Sequence, residues 1–203
     1  MIIPVSNKIL DEFQLKNHEL IDVTGGPELM SYNQLSGDSE YRLYSYLSTF
    51  YNGVTILDIG TLGGRSAVAL SHNDSNQVIS YDIIDGTSNN HKLRAKQNII
   101  FKVKNVLDDL TEDFVKNIKI VIIDIDPHHG NDEIDIINKL KDCNFCGIII
   151  LDDITHHPAP QANYMMNAMW NSITDTKYDV KKYGHWSGTG IVVINHDVYF
   201  DFM

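Results

Sequence analysis

Residues 56–70 read ILDIGTLGGRSAVAL, and this stretch limits the folds open to the chain more than any other. Ile56 to Ile59 is an apolar run carrying one acid, Asp58. Gly60 to Gly64 is a glycine-rich turn, and from Arg65 an apolar pattern resumes in helix-compatible residues, Ala67, Val68, Ala69 and Leu70. A short apolar run closed by a turn reads as a buried strand. Strand, tight turn and helix start together form the nucleotide-type cofactor unit of an α/β sheet. Glycine belongs where the backbone turns sharply or approaches a ligand closely, and amides at a helix start can bind a carboxylate or phosphate. A βα turn in any α/β protein has the same parts, so later residues must separate the cases.

The spacing argues against a dinucleotide. Such sites use G-x-G-x-x-G, whereas Gly60 is followed by Thr61, Leu62, Gly63 and Gly64. An NAD-dependent oxidoreductase therefore stands as the alternative of another class, and a non-catalytic metal-binding or scaffold module as the third.

Further strands end in acids. Val78 to Asp82 is a second strand with Asp82 at its carboxyl end, where ligands of open α/β sheets bind. A carboxylate there can accept both hydroxyls of a ribose, or it can simply cap a solvated turn. Ile99 to Val103 is a third strand, closed by Lys104 and Asn105. Ile118 to Ile123 is almost continuously apolar and β-branched, the pattern of a central parallel strand covered on both faces, and it runs into Asp124-Ile125-Asp126-Pro127-His128-His129-Gly130. Gly147 to Leu151 ends in Asp152-Asp153. Helices are expected within 28–50 and over 89–97, 107–117, 131–142 and 161–172. Tyr178–Tyr183 and Gly190–Asn195 read as two strands joined through Gly184-His185-Trp186-Ser187-Gly188. Residues 1–28 are weakly periodic and read as a short helix or arm outside the core sheet of 50–195, the whole forming one domain over 1–203.

Asp124, Asp126, Asp152 and Asp153 would gather at one edge of the sheet. Four carboxylates there repel one another unless a cation neutralises them, and oxygen-only ligation fits Mg²⁺ or Ca²⁺, with Mn²⁺ as a further alternative; Mg²⁺ keeps open positions for substrate oxygens. The plainer possibility is that each acid caps a helix start.

Composition narrows the partners. The formal net charge is −11 over 203 residues, a poor match to a phosphate backbone, whose binding rests on Lys and Arg. Nucleic acid is not expected as a substrate. No apolar run is long enough for a bilayer span, and the opening MIIPVSNKILDEF lacks a signal-peptide core, so a soluble, cytoplasmic chain away from membranes is the expectation. Cys143 and Cys146 form a lone C-x-x-C, which cannot complete a four-ligand zinc site.

Acid-x-G-x-x-x-G followed by Gly64-Arg65-Ser66-Ala67-Val68 resembles motif I of class I S-adenosylmethionine-dependent methyltransferases, in the catechol O-methyltransferase-like branch. The resemblance spans roughly residues 50–195. It implies a Rossmann-like fold: a mostly parallel seven-stranded sheet, helices on both faces, and an antiparallel C-terminal hairpin. It implies a cofactor site at Asp58, Gly60, Thr61, Gly64, Ser66, Asp82, Asn105 and Asp124. Ser66 would hold the methionyl carboxylate, Asp82 the ribose and Asn105 the adenine. Metal ligation is implied for Asp124, Asp152 and Asp153. The lysine base usual in catechol and caffeoyl-CoA enzymes has no counterpart here. Asp-x-Asp followed later by Asp-Asp is similar to macrocin-type sugar O-methyltransferases, in which the second acid is the base; that role falls to Asp126.

The implied activity is divalent-metal-dependent O-methylation of a small-molecule or glycan acceptor with vicinal hydroxyls, a sugar before a catechol or phenol. Two adjacent oxygens can chelate a dication, which lowers the pKa of a coordinated hydroxyl. His128, His129, His156 and Trp186 are the candidate acceptor contacts, and His128 or His129 is the rival base.

Overall fold

The computed structural model describes residues 1–21, 27–155 and 163–203. The strands are β1 (Ile2–Val5), β2 (Thr55–Ile59), β3 (Gln77–Asp82), β4 (Ile99–Val103), β5 (Ile118–Ile123), β6 (Gly147–Leu151), β7 (Thr176–Asp179), β8 (Gly190–Ile194) and β9 (Tyr199–Phe202). The helices are α1 (Asn7–Glu12), α2 (His18–Ile21), α3 (Pro27–Tyr32), α4 (Tyr41–Ser48), α5 (Arg65–Leu70), α6 (His91–Arg94), α7 (Glu112–Val115), α8 (Asn131–Asp142) and α9 (Asn163–Ser172).

Seven of the described strands form one sheet in the order β4-β3-β2-β5-β6-β8-β7. The pairs from β4 through β6 are parallel, while β8 runs antiparallel to both β6 and β7. The strand order turns outward from β2 in both directions, so the carboxyl ends of β2, β3, β5 and β6 open onto one crevice, where ligands of such sheets bind.

Alternation along each central strand feeds two cores. Ile56, Ile120, Ile122, Ile148 and Ile150 pack on one face with α4 and α5 residues. Leu57, Ile59, Val121, Ile123, Ile149 and Leu151 pack on the other with Ile136, Ile137 and Leu140 of α8 and Met166, Met169 and Trp170 of α9. Because both faces are covered, β5 reads as a nearly continuous apolar run, interrupted by Lys119, and β6 as an unbroken one. Helix α8 fits its sequence well: Asp132 and Glu133 lie in its first turn, Lys139 and Lys141 in its last, each matching the helix dipole.

Elsewhere the expectations shift. The segment 1–28 contributes a strand as well as helices, since β1 pairs in parallel with β9 to form a separate two-stranded sheet. Helix α6 covers only His91–Arg94 of the expected 89–97. The expected 107–117 helix divides into a 3₁₀ turn, Val106–Asp108, and α7. The first hairpin strand ends at Asp179 rather than Tyr183, because Val180, Tyr183 and Gly184 close a turn instead, the last two amides donating to the Val180 carbonyl. Residues 161 and 162 of the expected 161–172 helix lie outside the described residues.

Candidate active site

The glycine turn is fixed to the sheet at both ends. Gly60 has φ +103°, and a Cβ there would stand 1.6 Å from the Asp124 carbonyl oxygen. Only glycine permits β2 and β5 to come so close where they leave the sheet. Beneath the turn lies a buried polar chain: the Ser80 hydroxyl donates to Asp58 Oδ2 at 2.6 Å, and Thr61 Oγ1 lies 2.6 Å from Ser80 Oγ. Burial pushes the Asp58 carboxyl up to about 7; the Ser80 and Ser66 hydroxyls pull it back, and the Asp124 and Asp82 charges add to the rise. Asp58, Thr61 and Ser66 are thus buried supports of the turn, while Gly64, at φ +84°, opens α5.

Asp82 ends β3 and accepts two backbone hydrogen bonds, from the Leu62 amide at 2.9 Å and from the Ile84 amide at 3.0 Å. It holds the tip of the glycine turn and its own exit loop at once. Carboxylate oxygens carry further lone pairs, so both remain able to accept hydroxyls. Around it, Leu62, Ile83 and Ile84 are 67%, 74% and 71% exposed. Large apolar side chains left in water near a strand-end acid form a shelf that a ligand could cover. Sequence reasoning missed this shelf, since single apolar residues in a turn carry no periodic signal. Asn105 is exposed at the end of β4, and its side chain accepts from the Leu107 amide at 2.9 Å, capping the 3₁₀ turn.

The acids after β5 and β6 are arranged around two histidines. His128 Nε2 lies 3.2 Å from Asp126 Oδ1, 3.6 Å from Asp153 Oδ2 and 3.9 Å from Asp124 Oδ1. The Asp126 side chain is 90% exposed, whereas those of Asp153 and Asp152 are 11% and 9% exposed. Asp153 adopts φ +57°. Neighbours in an extended chain point to opposite faces; the left-handed backbone breaks that alternation and lets both carboxylates serve one point. Among the described residues, the set whose ligand atoms all lie within 4.8 Å of one another is Asp152, Asp153 and His185. Asp124 is outside that set and faces His128. His129 Nε2 turns toward Asp132 at 3.9 Å. Trp186 is 46% exposed, its ring 5.1 Å from that of His185. His156 lies outside the described residues.

Sequence reasoning also missed Glu40. It precedes α4, is 6% exposed, and is the largest charge acting on Asp124. Partial desolvation raises the Asp124 carboxyl, whose side chain is still 38% exposed, with Glu40, Asp153 and Asp126 adding and His128 opposing. Burial, then the Asp124, Glu40 and Asp153 charges, hold Asp152 well above the usual carboxylate range. Asp152 Oδ1 and the Tyr44 hydroxyl are buried with no hydrogen-bond partner among the described residues. Mutually repelling acids, of which Glu40, Asp152 and Asp153 are buried, with an orphaned oxygen among them, form the electrostatic state a cation relieves.

No protein-family model matches this chain, and no curated protein does. Solved structures do. An O-methyltransferase from Bacillus cereus in complex with SAH aligns over 92% of this chain and 96% of its own, at 19% identity and a TM-score of 0.57. Cofactor-bound Rv0187 from MTB aligns over 77% and 80%, at 15% identity and a TM-score of 0.57. SAH-bound Podospora anserina methyltransferase PaMTH1 aligns over 75% and 76%, at 12% identity and a TM-score of 0.53. The chain has the Rossmann-like methyltransferase fold, with the parallel sheet and C-terminal hairpin expected of it. No helix among the described residues is long and apolar enough to cross a membrane.

Proposed function

We propose that this protein transfers a methyl group from S-adenosylmethionine to a hydroxyl, with a sugar or glycan carrying vicinal hydroxyls as the acceptor and Mg²⁺ or Mn²⁺ as the metal. The observation that carries the reading is the adjacency of two half-sites on one sheet edge. One is a glycine turn clamped by Asp82 beside an exposed apolar shelf. The other is an acid cluster at the ends of β5 and β6, buried at Asp152 and Asp153. The neighbours bound to SAH or to a cofactor share this fold.

In this reading Asp82 receives the ribose hydroxyls, and Leu62, Ile83 and Ile84 cover the adenine, with Asn105 at its edge. Asp58, Thr61 and Ser66 hold the turn in shape, and Gly60 and Gly64 let the backbone approach the methionyl end, whose carboxylate Ser66 faces. The residues present fit a dication: Asp152 Oδ1 is buried without a partner, and Asp124 and Asp153 add charge beside it. When bound, such an ion supplies Lewis acidity toward a chelated hydroxyl. Proton removal belongs to Asp126, the exposed acid, acting with His128 at its side; a positioned base of this kind contributes ~10²–10⁴ in rate. His129 and Trp186 border the acceptor, Trp186 offering an aromatic face to a sugar ring; His156, the other expected contact, lies outside the described residues.

The test is direct. Chelator-stripped protein is incubated with S-adenosylmethionine and panels of nucleotide sugars, oligosaccharides and catechols, with and without Mn²⁺. Methyl transfer to a sugar that needs added metal supports the reading. Full turnover in excess chelator removes the metal, and transfer to catechols alone replaces the acceptor.

A further inference from the structure

The methyl-transfer reading takes its metal ligands from two strand ends. The hairpin loop between β7 and β8 brings a third element to the same point. His185 Nδ1 lies 3.7 Å from Asp152 Oδ2, and the His185, Asp152 and Asp153 ligand atoms all fall within 4.8 Å of one another. That spread matches donors waiting around an ion with ligand bonds of ~2.0–2.2 Å, which places opposed donors ~4 Å apart.

The loop is secured to the acids it faces. The Ile154 amide donates to the Gly188 carbonyl at 3.0 Å and the Thr155 amide to the Ser187 carbonyl at 3.2 Å. The His185 amide donates to Thr189 Oγ1 at 2.8 Å. Gly188 sits at φ +107°, and a Cβ there would stand 2.8 Å from the Thr155 nitrogen. Backbone directly after Asp152 and Asp153 is therefore laced to backbone directly after His185. The backbones that carry the acids and the imidazole cannot separate without breaking this ladder. The Asp152 side chain is 9% exposed and its Oδ1 has no hydrogen-bond partner. His185 Nδ1 also meets the Ser187 hydroxyl, a contact that a metal at Nδ1 would replace.

We propose that His185 is a nitrogen ligand of the divalent-metal site formed with Asp152 and Asp153, and that this donor favours Mn²⁺ over Mg²⁺. Mg²⁺ takes oxygen donors and holds its waters, whereas imidazole suits transition metals. The proposal deepens the metal half of the proposed function; its ligand geometry stands whether or not a methyl group is transferred.

The experiment uses the full chain, stripped with chelator and loaded with Mn²⁺. Pulsed electron paramagnetic resonance reads nitrogen coupled to the manganese, and calorimetry reads affinity for Mn²⁺ and Mg²⁺. Wild-type protein is expected to show imidazole nitrogen coupling. His185→Gln should lose it and weaken Mn²⁺ by ~10-fold or more, the scale set by losing even an outer-shell metal partner, with a smaller change for Mg²⁺. His128→Gln should keep the coupling. A wild-type spectrum without nitrogen, coupling that survives His185→Gln, or no Mn²⁺ binding at all overturns the proposal. The wild-type spectrum decides even if the variant misfolds. SAH titration of the same samples separates the outcomes: SAH binding without nitrogen coupling removes His185 alone, and nitrogen coupling without SAH binding removes the methyl-transfer reading alone.

Discussion

His128 Nε2 stands 3.2 Å from Asp126 Oδ1, and this pair is the point where the buried acids meet solvent. The carboxylate side chain is 90% exposed and the imidazole 19%, so an acceptor arriving from the crevice mouth reaches Asp126 first. Asp126→Asn preserves size and removes the proton acceptor. It should lower kcat by ~10²-fold or more while SAH affinity stays unchanged by calorimetry. Normal turnover in this variant, together with loss of turnover in His128→Gln, would transfer the base role to the histidine.

Asp82 joins two jobs, and its variants should reveal both. Asp82→Ala removes the acceptor for the Leu62 and Ile84 amides as well as the proposed ribose contact. Hydrogen bonds to a charged group contribute ~1.5–3 kcal/mol each, so SAH affinity should fall by at least ~10-fold. Amide exchange at Leu62 should quicken in the same protein. Unchanged affinity in a calorimetric titration would take Asp82 out of the site.

The buried Asp58 carboxyl gives the cofactor-free protein a pH signature. Between the ordinary carboxylate range and about 7, the folded protein keeps a proton on Asp58 that the unfolded chain has released. The folded state binds more protons in that window, so stability is greatest below it and falls as pH rises toward about 7. The slope approaches ~1.4 kcal/mol per pH unit for one such group. Asp58→Asn cannot ionise, so its denaturation midpoint should vary less between pH 4 and about 7. Parallel wild-type and variant profiles would count against a proton on this residue.

Gly60→Ala tests the contact between the turn and β5. Its Cβ would lie 1.6 Å from the Asp124 carbonyl oxygen, so the two strand ends must part. The expected destabilisation is ~3 kcal/mol or more, the upper end for single substitutions, read as a lowered denaturant midpoint. A shift below ~1 kcal/mol would mean that the backbone relaxes there.

Much of this fold was legible because its strongest signals are local. The apolar runs of β5 and β6, the glycine turn and the α8 pattern each lie within a dozen residues. Strand β1 was not legible, since IIPV finds its partner β9 at the far end of the sequence and carries Pro4 besides. Helices α6 and α7 are single turns, set by caps at Asn90 and Thr111 rather than by a periodic face. In the site, residues at strand ends were readable because topology alone brings such ends together. Glu40 was one acid among 27 Asp and Glu, and only the packing of α4 against the crevice distinguishes it. His185 was read as part of the hairpin loop, and nothing local tells that this loop is laced to Thr155.

The β1–β9 ladder has a mechanical consequence. Its strands run in the same direction, with Ile2 opposite Tyr199 and Val5 opposite Phe202. Tension applied at Ile2 and Phe202 pulls the two strands past each other along their length. Every rung of the ladder is then loaded together in shear, whereas an antiparallel pair held at one end would open a rung at a time. Tension drawn through Ile2 or Phe202 therefore loads this ladder before it reaches the sheet that carries the crevice.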